Sequence, residues 1–276
     1  MEILSFGFLF LFGLVIGSFL NVAIRRPIRG ESLFGRSHCE SCKKTLTAFE
    51  LIPVFSFLVL RGRCRSCNSP LSLQYPLVEL GTALAFLLVG VLFSPQELYG
   101  WSFLLFIKIS LILIGLSASI VIFVVDLKEK IIPDSPFFIL FGTALFGALL
   151  RYTSFYPYSF DSSLFLKDAG AALCFAFFFA ALWFFSGGAW MGFGDAKLVL
   201  ATSLALGYPV SIAAFLFSFW LGGIGGGVLL LMRRVAMKSQ IPFGPFILAA
   251  SVIAYFSAPY FFEESRLLEG IYELLR

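Results

Sequence analysis

The sequence predicts an all-α polytopic membrane protein of about eight transmembrane helices with a small Cys-rich cytoplasmic insert. Three observations predict it. Of 276 residues, 59% are hydrophobic and 13% charged, against about 45–50% apolar and about 25% charged in soluble domains. Too little polar surface is left to face water on every side. The apolar residues fall into runs long enough to cross a bilayer core of about 30 Å, which takes roughly 20 helical residues. The basic residues collect in alternate loops.

The first run, residues 3–24, holds nothing more polar than Asn21 and ends at Arg25 and Arg26. No basic segment precedes it and no small-x-small cleavage site follows, so a retained first helix is expected rather than a signal peptide. Further spans are predicted at 75–93, 101–125, 136–150, 169–190, 196–206, 210–232 and 243–262; the fourth and sixth are short. With the N-terminus outside, nine basic residues fall in the loop 25–74, two at 126–135, Lys197 alone at 191–197, and Arg233, Arg234 and Lys238 in one further loop. Fifteen of the twenty thus lie inside, whereas Arg151, Lys167, Arg266 and Arg276 lie outside and Lys108 lies within a span. Omitting the sixth span would carry the Arg233 loop outside, so the charge rule favours eight. Lys108 is expected to snorkel to the interface. Gly13 and Gly17, and the run Gly222, Gly223, Gly225, Gly226 and Gly227, are expected to let helices pack closely; no strand precedes the run, as a phosphate-cradling loop would require. The net charge of +4 gives no reason to expect nucleic acid as a partner.

The organisation that follows is a first helix at 1–24, a cytoplasmic Cys-rich domain at 25–74, and a multi-helix membrane domain at 75–276. The insert is too long for a structureless connection. It carries two C-x-x-C pairs, Cys39 with Cys42 and Cys64 with Cys67. Four thiolates at this spacing suit a structural tetrahedral zinc, and a reducing cytosol disfavours disulfides. Iron–sulfur and redox-dithiol readings remain open beside it. Residues 51–60 are apolar but too few to span, so they are expected to form the insert's core or to lie on the membrane surface. His38 is read as exposed and Cys174 as packing.

Carboxylates at membrane boundaries are costly and therefore functional candidates. Glu79, Asp126 and Asp195 are the acidic residues in or against predicted spans at the inner face. The charge-derived topology brings Asp126, at the end of the third span, and Asp195, at the start of the sixth, to that one face. Close carboxylates do not both ionise easily, and such a pair can activate water and protonate a leaving amine. Gly192 and Gly194 strip side chains from the approach to Asp195. Solvated helix ends are the alternative reading, and ion-binding carboxylates of a transporter, or a scaffold without catalysis, are the rivals.

At these residues the chain resembles the bacterial prepilin peptidases, membrane aspartic peptidases that process type IV pilins and type II secretion pseudopilins. The resemblance runs from G-S-F-L-N-V at 17–22 through L-I-P-V-F-S at 51–56, R-G-R-C-R-S-C at 61–67, Y-P-L-V-E-L at 75–80, D-L-K-E-K-I-I-P-D at 126–134 and G-F-G-D-A-K-L at 192–198 to P-F-G-P at 242–245. It implies Asp126 and Asp195 as the catalytic pair, Cys39, Cys42, Cys64 and Cys67 as zinc ligands, and a multi-pass protein of the bacterial inner membrane. Its substrates would be prepilins or pseudopilins, whose short basic leader is removed at the cytoplasmic face. Members with the Cys-bearing domain also methylate the new N-terminal amine from S-adenosylmethionine, which implies a bifunctional enzyme. No motif for that donor emerges from spacing. Glu79 is read both as a helper there and as a side chain reaching the headgroup layer. The paired Arg25 and Arg26, where the family has one Arg, and Glu50 before the L-I-P segment depart from the pattern.

Overall fold

The computed structural model describes residues 2–92, 103–153, 162–232 and 241–257. Among them the chain is helical: α1 (Glu2–Ile28), a 3-10 turn (Ala48–Leu51), α2 (Phe55–Val59), α3 (Gln74–Leu92), α4 (Phe103–Glu129), α5 (Asp134–Thr153), α6 (Ser162–Ser186), α7 (Phe193–Leu206), α8 (Val210–Leu231) and α9 (Gly244–Ser257). Each predicted span has its helix. Six of them, α1, α3, α4, α5, α6 and α8, are long and apolar enough to cross a membrane, whereas α7 and α9 are shorter. The Arg233, Arg234 and Lys238 loop, Arg266, Arg276 and the margins of the second, third and eighth predicted spans lie outside the described residues. Large apolar side chains such as Phe8, Leu11, Phe177 and Phe184 stay exposed on α1 and α6, a surface suited to lipid.

The chain divides into two compact units, residues 1–121 and 122–276. In the first, α1 packs along α3, and the sequence allows this because two glycines of α1 face backbone. A Cβ on Gly13 would lie 2.6 Å from the Ala83 Cα, and one on Gly17 2.6 Å from the Glu79 Cα. Gly17→Ala is therefore expected to push the helices apart and destabilise the unit by about 1–3 kcal/mol. Gly7→Ala is the control, since nothing lies within 4 Å of a Cβ there. Thermal unfolding in detergent checks this: equal melting temperatures for the two variants would refute the close-packing role.

Beyond α1 the chain turns back through Arg26, which is buried and donates to the carbonyls of Ser32, Leu33, Gly35 and Arg36. Residues 51–60 do not form a core. They build the 3-10 turn's end and the short α2, with Phe55, Leu58 and Val59 exposed.

In the second unit α7 is the hub, packed by α5, α6 and α8. Its 14 residues span about 21 Å at 1.5 Å per residue. Ala196, Leu198, Val199, Ala201 and Leu204 are buried around its circumference, the pattern of a helix enclosed by protein rather than lipid. Aromatic rings join α6 and α8 to the start of α9: Phe175 stacks on Phe215 at 4.4 Å, and Phe179 and Phe219 both meet Phe243. The glycine run of α8 serves this packing, because Cβ atoms at Gly222 and Gly225 would strike the rings of Phe243 and Phe246 at 2.6 and 2.8 Å. At the other end of α7, Arg151 donates to the Asp168 carboxylate at 2.9 Å and to the Ala205 carbonyl at 2.6 Å, and Asp168 also accepts from the Tyr208 amide. This clamp ties α5, α6 and the α7–α8 turn together.

Candidate carboxylate site and metal centre

Asp126 lies three residues before the end of α4, where Lys130, held at a φ of 57°, donates its amide to the Asp126 carbonyl and stops the helix. Asp195 is the third residue of α7, and its Oδ2 accepts from the Gly192 amide at 3.1 Å, capping the first turn. Local folding therefore presents one carboxylate from a helix end and the other from a helix start. Both are buried, 4% and 7% exposed, and both line a single cavity of about 650 Å³ with Lys130, Ile132, Trp190, Met191 and Phe243. The negative charge of Asp126 bears directly on Asp195. Asp126 Oδ2 is buried with no hydrogen-bond partner among the described residues. Burying an unpaired carboxylate oxygen is costly, and such an atom at a cavity wall is poised to meet a ligand or water.

Sequence reasoning brought Asp126, Asp195, Gly192 and Gly194 together, and the structure adds two contacts that it did not assign. Gly244 presses on Asp126: its amide faces the carboxylate, and a Cβ there would lie 2.5 Å from Oδ2. Gly194 makes room for Ile132, whose side chain would meet a Cβ at 3.1 Å. The signal for Gly244 was present in the P-F-G-P segment, although spacing alone gave it no partner. Lys197 does not point its charge at the pair; its Nζ bonds Asp134 at 2.6 Å and lies over the Phe137 ring.

Gly244→Ala is expected to displace Asp126 while leaving the fold intact. Moving a reacting group by about 1 Å costs on the order of 10²-fold in rate, so the variant's turnover should fall by about that factor. The reaction rate compared with wild type at equal expression checks it; full activity would remove Gly244 from the site.

In the first unit the four cysteines come together on two matching knuckles. Cys39 accepts from the Lys43 amide through its carbonyl, Cys64 does the same with Asn68, and Lys43 and Asn68 both adopt positive φ, 58° and 55°. Short bridges, His38 with Thr45 and Arg63 with Pro70, close each loop. The four sulfurs lie within 4.8 Å of one another, and Cys39 and Cys67 are 3.8 Å apart. Tetrahedral bonds of about 2.3 Å put ligand sulfurs roughly 3.8 Å apart, so the cage matches a metal ion. Local donors favour thiolate on two of the four sulfurs: the Cys42 amide leads in lowering Cys39 to about 6, and the Ser69 hydroxyl leads in lowering Cys67. At Cys42 the lowering by the Lys44 amide is outweighed by desolvation and by the neighbouring Cys39 and Cys67 sulfurs, which push it up to about 11.

Similarity to known proteins covers both regions that carry these residues. Residues 11–93 match the family model of the bacterial peptidase A24 N-terminal domain, and residues 111–227 that of the type IV leader peptidase family. The prepilin leader peptidase/N-methyltransferase of Aeromonas hydrophila is 35% identical over 282 residues, covering 91% of this chain and 90% of its own. That of Bacillus subtilis (strain 168) is 36% identical over 248 residues, covering 90% and 92%, and that of Legionella pneumophila is 31% identical over 270 residues, covering 89% of each. No solved structure gives a significant match. With Asp126 and Asp195 lying inside the second matched region and the four cysteines inside the first, the chain belongs to the type IV leader peptidase family.

Proposed function

We propose that this protein is a membrane aspartic endopeptidase that removes the leader from prepilins and pseudopilins at the cytoplasmic face of the bacterial inner membrane, and then N-methylates the new terminus. The names of its relatives, prepilin leader peptidase/N-methyltransferase, support both activities. One observation carries the peptidase site: two buried carboxylates, distant in sequence, line one cavity, and an oxygen of Asp126 is left without a partner among the described residues.

The chemistry needs one ionised and one protonated carboxyl. Placing two carboxylates together in a poorly hydrated cavity favours that singly protonated state. The ionised member takes a proton from water as its oxygen attacks the carbonyl carbon of the scissile peptide. The protonated member hydrogen-bonds the carbonyl oxygen. As the tetrahedral intermediate collapses, the C–N bond breaks and its electrons pass to nitrogen, which takes a proton from the pair. The roles belong to the pair rather than to fixed members. Gly192 puts no side chain beside Asp195 and its amide holds the carboxylate in place, while Gly194 gives its space to Ile132.

The fifteen inner basic residues of the charge-derived topology support a cytoplasmic active-site face. A pilin's hydrophobic helix can then remain in lipid while its leader reaches water. Cys39, Cys42, Cys64 and Cys67 would hold zinc with a full set of sulfur ligands, which gives the metal a cross-linking role and no open position for water. S-adenosylmethionine, when bound, supplies a methyl group carried on a cationic sulfur. Mass spectrometry of a pilin precursor incubated with purified enzyme tests the reading: a leader-sized loss is expected, followed by one methyl gain with the donor present. An uncut precursor would overturn it.

A further inference from the structure

The first unit contains a second cavity, of about 500 Å³, lined by one face of α1, the start of α3 and the Cys-rich segment. Its size lies within the roughly 300–1,000 Å³ of small-molecule sites. Its charges are arranged unusually. At one end Glu79 is buried at 7% exposure, on α3. Its Oε2 accepts from the Val54 amide at 2.7 Å, and its carboxylate also meets Ser18 of α1. Val54 donates from a φ of 60°, a conformation that β-branched residues avoid, so the chain is bent to serve this carboxylate. Among the described residues no lysine or arginine forms an ion pair with Glu79. A buried carboxylate held by neutral donors at a cavity wall is a receptor for a cation.

At the other end lies the opposite charge. Arg25 stacks 4.6 Å over the Tyr75 ring and pairs with Glu40, and Arg29 bonds the same Glu40 at 2.9 Å. Two guanidinium groups share the Glu40 carboxylate at this end, within a lining whose other charges, Glu79 apart, are Arg26 and Arg65 beside Glu31 and Glu50. Tyr75 and Glu79 are four residues apart on α3, about 6 Å along the helix. The cavity therefore carries guanidinium groups beside Tyr75 and, one turn further along α3, the Glu79 carboxylate. Between and beside them, Leu46, Leu51, Phe57, Leu60 and Leu71 contribute apolar wall.

We propose that this cavity is the methyl-donor site, with Glu79 facing the sulfonium of S-adenosylmethionine and Arg25 and Arg29 its carboxylate. The assignment rests on the N-methylation reading above and deepens it. The donor's methionyl part carries a carboxylate and a sulfonium, opposite in sign to the guanidinium groups and to Glu79 respectively, and the apolar wall suits its purine. On transfer to the substrate's amine the S–CH₃ bond breaks with its electrons left on sulfur, an N–CH₃ bond forms from the nitrogen lone pair, and one proton leaves nitrogen for water. The sulfur becomes neutral, so its attraction to Glu79 disappears and the spent thioether is released more readily. Glu79 thus acts by its charge on the donor.

Equilibrium binding to the purified full chain tests this without any cleavage step. Glu79→Gln is expected to weaken S-adenosylmethionine by about tenfold or more, the scale of losing a buried charge partner. It should change S-adenosylhomocysteine, whose sulfur is neutral, far less, and Glu79→Asp should restore part of the preference. Unchanged S-adenosylmethionine affinity in Glu79→Gln, or equal loss for both ligands, overturns the assignment. Zinc content and elution volume report whether the variant is folded. Should it not fold, photolabelling of wild type with methyl-tritiated donor decides: label within residues 18–29 or 72–79 supports the site, and label confined to 122–257 overturns it. Failure of wild type to bind the donor at all would instead sink the N-methylation reading.

Discussion

Asp126→Asn and Asp195→Asn are each expected to reduce leader removal by at least about 10³-fold, with the fold retained. Positioned acid–base groups contribute about 10²–10⁴-fold in rate, and here each member also sets the protonation of the other, so either loss disables both steps. The double variant should be little worse than either single one, because residues that act as a unit are not additive. The amide is nearly the same size and carries no charge, so Asn at 126 relieves a buried oxygen that has no partner among the described residues, and at 195 its carbonyl can still accept from the Gly192 amide. Stability should hold or rise. Precursor processing in detergent or vesicles, followed by mass, checks the rate, and thermal unfolding checks the fold. Appreciable cleavage by either variant would end the two-carboxylate mechanism.

What the sequence made legible was whatever rests on periodicity, charge bias or local spacing. Apolar runs marked the long helices found among the described residues, and paired cysteines marked the cage now seen with its sulfurs inside 4.8 Å. The carboxylates were legible because charge is so costly in a bilayer that few acids are left to choose from. Contacts between distant residues were not legible. Nothing in spacing says that Gly244 abuts Asp126 or that Gly194 yields to Ile132, since those depend on how α4, α7 and α9 meet. Arg151 was counted only as an outer charge, and its clamp on Asp168 and Ala205 needs three helices in place. Lys197 was counted only as an inner charge, and its pairing with Asp134 needs α5 and α7 in place. The apolar stretch 51–60 was ambiguous because hydrophobicity alone does not say whether a short run is covered by protein or by lipid. Its exposed Phe55 and Leu58 resolve that against a protein core.

Metal removal should unravel the Cys-rich segment, and burial shows why. Between residues 29 and 73 only Cys39 and Cys64 are buried; Phe34, Phe49 and Leu58 are exposed. A segment of this length without an apolar core does not hold a single conformation by hydrophobic burial. Each knuckle is closed by two backbone bonds, Cys39 with Lys44 and Lys43, Cys64 with Ser69 and Asn68, and the four sulfurs bring the two knuckles together. A structural zinc supplies about 10–16 kcal/mol of apparent binding energy at pH 7, enough to dominate the local balance. Purified protein is therefore expected to contain about one zinc per chain, and Cys39→Ser with Cys42→Ser to contain none. Loss of the ion, by chelator or by those substitutions, should free the backbone around Lys43, Lys44, Arg61, Arg63 and Arg65, whose side chains are already exposed, so that tryptic cleavage within 43–65 accelerates strongly. Cleavage at an unchanged rate after complete metal loss, or recovery of iron or a disulfide in place of zinc, would refute the structural-zinc account, because only a cross-link between the knuckles links metal content to the order of this segment.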